Sequence, residues 1–108
     1  MRGMGNMNEM FKKAQKMQED FQRMQDELKE KTVEASAGGG AVTVTANGAK
    51  QVTGIKVDKE LAESGDIEML QDLVLAAVNE ALNKAQEMAD EETKKITGGL
   101  GLNLPNMF

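Results

Sequence analysis

The sequence offers few side chains for catalysis or metal binding, because its 108 residues include no histidine and no cysteine. Histidine is the usual general base and the commonest metal ligand, and cysteine supplies thiolate nucleophiles and ligands. Ser36 and Ser64 lie in no recognisable nucleophile motif, and the glycines at 38–40 are not followed by the lysine of a phosphate-binding loop. The carboxylate clusters lack the spacing of a calcium loop. We therefore expect no enzyme activity, no metal site and no cofactor.

Positive charge is unevenly distributed along the chain. The whole protein has a net charge of −5, yet its first 18 residues hold four cations and a single carboxylate. Such asymmetry indicates an acidic body with a basic end. The alternative interpretation is an ordinary solvated helix surface, and charge alone does not choose between the two.

A long helix is predicted to carry these N-terminal cations. Asn6 and Glu9 have the spacing of a capping box, which predicts a helix start at that point, and the helix is expected to end near Lys31. Apolar residues at alternating spacings of three and four predict a coiled-coil seam against another helix. The seam residues are Met7, Met10, Ala14, Met17, Phe21, Met24 and Leu28.

Three short strands follow the helix. Apolar and polar residues alternate over 32–37 and 41–46, as they do in half-buried strands. Asn47-Gly48 predicts a two-residue hairpin turn, because both positions tolerate positive φ. The alternation over 51–57 changes phase, which predicts a bulge near Gly54. The result is an antiparallel meander with one apolar face that needs a cover.

A second long helix is predicted from an N-cap at Asp66 to Gly98-Gly99. Its wide apolar stripe is rich in alanine, which permits close approach to a neighbouring element. The element order α-β-β-β-α predicts one α+β domain over residues 1–108, a three-stranded meander flanked by two long helices. Residues 1–6 and 98–108 are predicted to be flexible tails.

A monomer of this composition would have a thin core, since the chain contains three Phe and no Trp or Tyr. Oligomerisation is one way in which small domains compensate for such a core, so we expect a homodimer. The apolar runs are too short to span a membrane, and no apolar signal segment follows Arg2. We therefore expect a cytoplasmic protein.

Two helical segments closely resemble the YbaB/EbfC family. They are GNMNEMFKKAQKMQ at 5–18 and QDLVLAAVNEALNK at 71–84. The Asn47-Gly48 hairpin, the run IKVD at 55–58 and the Gly-rich end with a terminal Phe are also similar to that family. Each helical segment alone is merely amphipathic, but together they cover nearly the whole chain in the right order.

The resemblance implies a homodimer whose sheet regions pack together while long helices project like the arms of tweezers. It also implies a nucleoid-associated protein of the cytoplasm that binds double-stranded DNA and alters its conformation, with roles in gene expression and DNA protection. No catalytic motif, membrane or small-molecule substrate comes with it. A dimeric, Met-rich protein-interaction scaffold without significant DNA affinity is the alternative from another functional class.

The candidate DNA contacts are chosen by charge, because the family has no motif that defines them. Lys12, Lys13 and Lys16 are expected to contact phosphates, and Arg23 is a weaker candidate because carboxylates are close to it in sequence. The cations of the second helix are further candidates, although the last two would also offset the helix dipole without any DNA. They are Lys84, Lys94 and Lys95.

Overall fold

The computed structural model describes the backbone of residues 2–99 and the side chains of residues 7–98. The elements are α1 (Arg2–Glu30), β1 (Thr32–Ala37), β2 (Val42–Asn47), β3 (Val52–Val57), α2 (Lys59–Glu63) and α3 (Ile67–Gly99). The α+β class and the predicted element order are confirmed. The short helix α2 lies in the acidic connection before α3.

Helix α1 begins earlier than its sequence predicts. It starts at Arg2, so the helix start predicted at Asn6 is wrong. Adding residues to an existing helix costs far less than nucleating one, and the first turn contains no proline that would stop it. Residues 2–6 and 98–99 are helical, while Met1 and residues 100–108 lie outside the described residues. The mobility predicted for the two ends stays a prediction.

The sheet is an antiparallel meander with strand order β1-β2-β3. On its apolar face, Ala35, Val44 and Ile55 lie opposite one another across the three strands. Thr45 pairs with Gly54 but Ala46 pairs with Val52, so Thr53 is an extra residue on β3. The predicted bulge near Gly54 is confirmed, and it keeps the apolar residues of β3 on one face.

The turn between β2 and β3 differs from its prediction. The backbone N–H of Lys50 donates to Asn47 O over 3.0 Å and that of Asn47 donates to Gln51 O over 2.9 Å, which closes a three-residue loop. Positive φ occurs at Lys50, at 63°, and not at Asn47 or Gly48. A turn followed by one left-handed residue is the usual three-residue hairpin. The predicted two-residue turn at Asn47-Gly48 is therefore wrong.

Gly48 is needed for contact with the end of α1. Its N–H donates to Leu28 O over 2.8 Å and to Lys31 O over 3.0 Å, so it satisfies two carbonyls at the helix terminus. A Cβ atom at this position would come within 2.6 Å of Leu28 Cδ2 and 2.8 Å of Leu28 O. The hairpin can therefore dock onto α1 only with a residue that has no side chain.

Replacing Gly48 by Val is expected to destabilise the fold by about 1–3 kcal/mol, because the buried Leu28 and its carbonyl must move. The matched control is Gly54→Val in the same hairpin, since a Cβ there would meet nothing within 4 Å. Urea denaturation of both variants measures the two effects. A Gly48→Val protein as stable as the Gly54→Val protein would show that this contact does not limit the fold.

The core lies between α3 and the first two strands. Its largest fully buried side chains are Val42 and Val44, and the remaining members are mostly alanines of β1, β2 and α3. Strand β3 is poorly covered, since Ile55 is 52% exposed and Val52 is 40% exposed. The helix that covers the sheet therefore leaves one strip of its apolar face open.

The molecule is strongly elongated. Its extents are 76 × 24 × 16 Å and its radius of gyration is 20.4 Å, whereas a globular chain of about 100 residues has a radius near 13 Å. The elongation arises from an arm, formed by α1 and the second half of α3, whose two helices are antiparallel and extend away from the sheet. Lys31 contacts Glu92 near the sheet, and Arg23 shares a groove with Ile96 farther along this arm.

Candidate nucleic-acid interface

The outer part of α1 holds the basic segment. The seam of α1 is buried at Leu28 and half-buried at Met24, Phe21 and Met17, but every described residue before Met17 is exposed. The packing of α1 on α3 therefore ends near Met17. Over residues 7–16, side chains on every side of α1 are exposed to solvent.

Lys12, Lys13 and Lys16 all lie on this exposed part of α1. A spacing of four places Lys12 and Lys16 on one helix face, one turn apart, and Lys13 on the adjoining row. None of the three forms an ion pair within the described side chains 7–98. They form a compact cationic surface, with Glu9 one helical turn before Lys12 and Lys13 and Glu19 one turn after Lys16.

Toward the sheet, the same outer surface of α1 becomes acidic. Arg23 Nη1 lies 3.9 Å from the Asp20 carboxylate, one turn away. Arg23 also lines a groove of about 250 Å³ together with Glu27, Glu92 and Lys95. Glu27 and Glu92, together with Asp20, therefore offset the charges of Arg23 and Lys95. The structure therefore places Arg23 and Lys95 in one mixed-charge groove, apart from the three lysines.

The α3 lysines do not join the α1 lysines. Lys84 Nζ donates to Glu34 O over 2.9 Å and so satisfies a carbonyl of β1 at the sheet. Lys95 Nζ lies 3.2 Å from Glu92 Oε1, while Lys94 is exposed. The seven candidate cations thus occupy three places: the outer end of α1, the mixed groove and surface of the arm, and the edge of the sheet.

Glu92 links the two helices of the arm at the level of the sheet. Its Oε1 accepts hydrogen bonds of 3.2 Å from both Lys95 and Lys31. These bonds, first that of Lys95 and then that of Lys31, lower the pKa of the Glu92 carboxyl from its ordinary value of 4.5. Folding lowers the pKa of Glu92, so the two hydrogen bonds stabilise the folded state fully at pH values above 4.5. This contribution to stability is lost as the pH falls through the lowered pKa.

The structure also reveals a feature that the seam pattern had concealed. Met7, Met10 and Phe11 are 70%, 69% and 73% exposed at the same end of α1 as the three lysines. The heptad pattern predicted a helix partner for Met7 and Met10, and Phe11 had no predicted role. These residues differ from the packed half of the seam only in their position along α1, because they precede Met17, where the packing against α3 ends.

Within the part of the chain that the structure describes, no group of acidic side chains is arranged to hold a metal ion. No helix of that part is long and apolar enough to cross a membrane.

Comparison with known proteins supplies the family. A family model described as the YbaB/EbfC DNA-binding family matches residues 4–100. A nucleoid-associated protein of Acetivibrio thermocellus is 62% identical over 96% of this chain and 91% of its own length. One of Alkaliphilus metalliredigens is 52% identical over 100% of this chain and 93% of its own. The crystal structure of an uncharacterized Helicobacter pylori protein is similar with a TM-score of 0.69 at 23% identity, covering 77% of this chain and 87% of that one.

Proposed function

This chain belongs to the YbaB/EbfC DNA-binding family, and from that premise we propose that it binds duplex DNA as a nucleoid-associated homodimer. Its phosphate contacts are Lys12, Lys13 and Lys16 on the outer ends of two α1 helices. The observation that carries this assignment is the exposure of the three lysines beyond the reach of α3, free of ion pairs within the described side chains. The protein acts by binding and not by catalysis.

Lysine contacts of this kind position a protein on DNA without reading its sequence. The acidic part of α1 and the acidic α3 then point away from the phosphates, which reconciles a net charge of −5 with DNA binding. A dimer would double the cationic surface and hold two copies in a fixed relation. Two fixed contact surfaces on one duplex can change its path, which supports a role in DNA conformation.

The proposed dimer surface lies beside β3. Lys84 reaches β1, so the α3 flank with Lys84 is on the β1 side and the opposite flank is on the β3 side. That opposite flank carries Leu75, which is 61% exposed, with the half-buried Val78 and Leu82 at spacings of three and four. Leu75 and the open strip at Val52 and Ile55 therefore border one apolar surface.

A second copy is the occupant that best fits this surface. The monomer buries few large side chains, and the open strip continues its small core directly. A two-fold axis would bring two such strips together and complete both cores at once. The basic ends of α1 would remain free, because they lie at the end of the arm that is farther from the sheet.

The wild-type protein is expected to bind two unrelated duplexes with similar affinity, and log K should fall linearly with log salt concentration. Fluorescence anisotropy with labelled duplexes at several salt concentrations measures both. The competing function is the protein-interaction scaffold, favoured by the exposed methionines. Absence of saturable binding at the lowest salt concentration would favour the scaffold and reject the DNA-binding proposal.

A further inference from the structure

The apolar face of α1 continues past the end of α3. Met10 and Ala14 continue the spacings of three and four that the packed seam shows from Met17 onward, so they lie on the face that α3 covers nearer the sheet. Met7 extends the same face, and Phe11 adjoins it one turn farther along. Met7, Met10, Phe11 and Ala14 are all exposed and together form an open seam.

Helix α3 ends where the open seam begins. Ile96 lines one groove together with Asp20 and Arg23 of α1. Gly99, the last residue of α3, lies about 4.5 Å beyond Ile96 along the helix. Because the two helices are antiparallel, this displacement leads toward Met17, the last half-buried residue of the seam. The chain therefore leaves α3 in the direction of the open seam.

Residues 100–108 have the composition and the length to cover the open seam. They include no charged side chain, and leucine occupies every second position at 100, 102 and 104. In an extended segment this alternation places the three leucines on one side. Met10 lies roughly 15 Å along α1 from Asp20, at about 1.5 Å per residue, and five extended residues span roughly 16 Å. Residues 100–104 can therefore reach Met10.

The position of the lysines favours an uncharged occupant. Lys12 and Lys16 follow two residues of the open seam, Met10 and Ala14, by two positions each, which turns them about 200° around the helix. An occupant of the open seam therefore need not carry negative charge. A short tether also gives residues 100–108 an effective concentration in roughly the millimolar range, which favours them over a second copy at micromolar concentration.

We propose that residues 100–108 dock on the open seam of the same chain, with Leu102 and Leu104 covering Met10 and Phe11. Burial of these side chains stabilises the docked segment, since large apolar groups clustered on an exposed helix face usually mark an interaction site. The packed arm then extends beyond the last turn of α3. The lysines on the opposite side of α1 stay accessible, so docking is compatible with the proposed phosphate contacts and does not depend on them.

A tryptophan at position 11 reports whether the open seam is covered. Phe11 is 73% exposed, and Phe11→Trp gives a single fluorophore because the chain contains no Trp or Tyr. Replacing Leu102 and Leu104 together by Ser in this protein should increase acrylamide quenching at least about twofold, because a covered ring loses much of its contact with solvent. Asn103→Ser is the matched control, since Asn103 lies between the two leucines on the other side of an extended segment, and it should leave quenching unchanged.

Disulfide formation identifies the segment that covers the seam. The chain contains no cysteine, so an introduced pair is the only one. Met10→Cys combined with Leu102→Cys or with Leu104→Cys should form an intrachain disulfide, and the faster pair should react about tenfold faster than its match with Glu9→Cys. Glu9 lies two positions from both Met7 and Phe11, which places it on the other side of the helix. Each rate is divided by the reactivity of the same thiols with a small aromatic disulfide.

Three outcomes would overturn the docking. Quenching that is unchanged by the two serines, or raised equally by Asn103→Ser, would show that the leucines do not cover position 11. Equal rates for the Met10→Cys and Glu9→Cys pairs would show that residues 100–108 move freely past α1. A disulfide formed mainly between chains, which non-reducing electrophoresis separates by mass, would assign the open seam to a second copy. No DNA is present in these measurements, so their results are independent of the proposed function.

Discussion

Replacing Lys12, Lys13 and Lys16 together by Ala is expected to abolish most DNA binding at moderate salt concentration. Each phosphate contact contributes roughly 0.9 to the salt slope of log K, so loss of six contacts per dimer would lower the slope by up to about 5. The loss should be similar on unrelated sequences, because phosphate contacts do not read bases. Anisotropy titrations at several salt concentrations, on two unrelated duplexes, measure both the slope and its independence of sequence.

Fold and dimerisation should survive the triple change. The three side chains are exposed and lie off the seam, and Ala is the best helix former. The matched control replaces Lys29, Lys56 and Lys59 by Ala, which removes the same charge from residues at or near the sheet. If the control weakens binding as much as the triple variant does, net charge and not the end of α1 governs affinity. Unchanged binding by the triple variant would contradict the α1 assignment. The candidate phosphate contacts would then be Lys84, Lys94 and Lys95.

Much of the fold follows from local patterns in the chain. The helix with heptad spacing, the alternating strands over 32–57 and the alanine-rich stripe of α3 each appear as predicted, because each pattern matches the period of one secondary structure. The seam itself is packed only over 17–28. The bulge also followed locally, since Val52 and Ile55 can share one face only if an extra residue separates them.

The β2–β3 turn could not be predicted in this way. Asn47-Gly48 has the composition of a two-residue turn, but Gly48 is required by its distance to Leu28, a residue twenty positions earlier. The left-handed residue is Lys50, a type that seldom signals such a conformation. A contact between distant segments therefore overrode a strong local signal.

The candidate site was only partly predictable for a similar reason. Charge makes the lysines of both α1 and α3 candidates. The contact of Lys84 with Glu34 O joins residues fifty positions apart and follows only from the fold. The seam pattern likewise indicates that Met7 and Met24 are both buried, without indicating by what. The point at which α3 ceases to cover α1 is a property of the packed arm, and it separates a structural seam from an exposed surface.

The proposed dimer surface gives the second large effect that we expect. Replacing Ile55 by Asp should convert the dimer to monomers, because two unpaired carboxylates would be buried across the two-fold axis at a cost of several kcal/mol. In the free monomer the same side chain is half exposed, at 52%, so a carboxylate there can reach water. Sedimentation equilibrium at micromolar concentration measures the change, with far-UV circular dichroism as a check on folding.

Lys56→Glu is the matched control for Ile55→Asp. Lys56 is the next residue on β3 and, with Thr43 opposite it, faces away from α3. It should remain dimeric. A dimer stabilises the fold by mass action, so the melting temperature of wild type should rise with protein concentration, and that of Ile55→Asp should not. A wild-type protein that sediments as a folded monomer, with a melting temperature independent of concentration, would contradict the dimer itself. A dimeric Ile55→Asp would show that the two copies meet on a different surface.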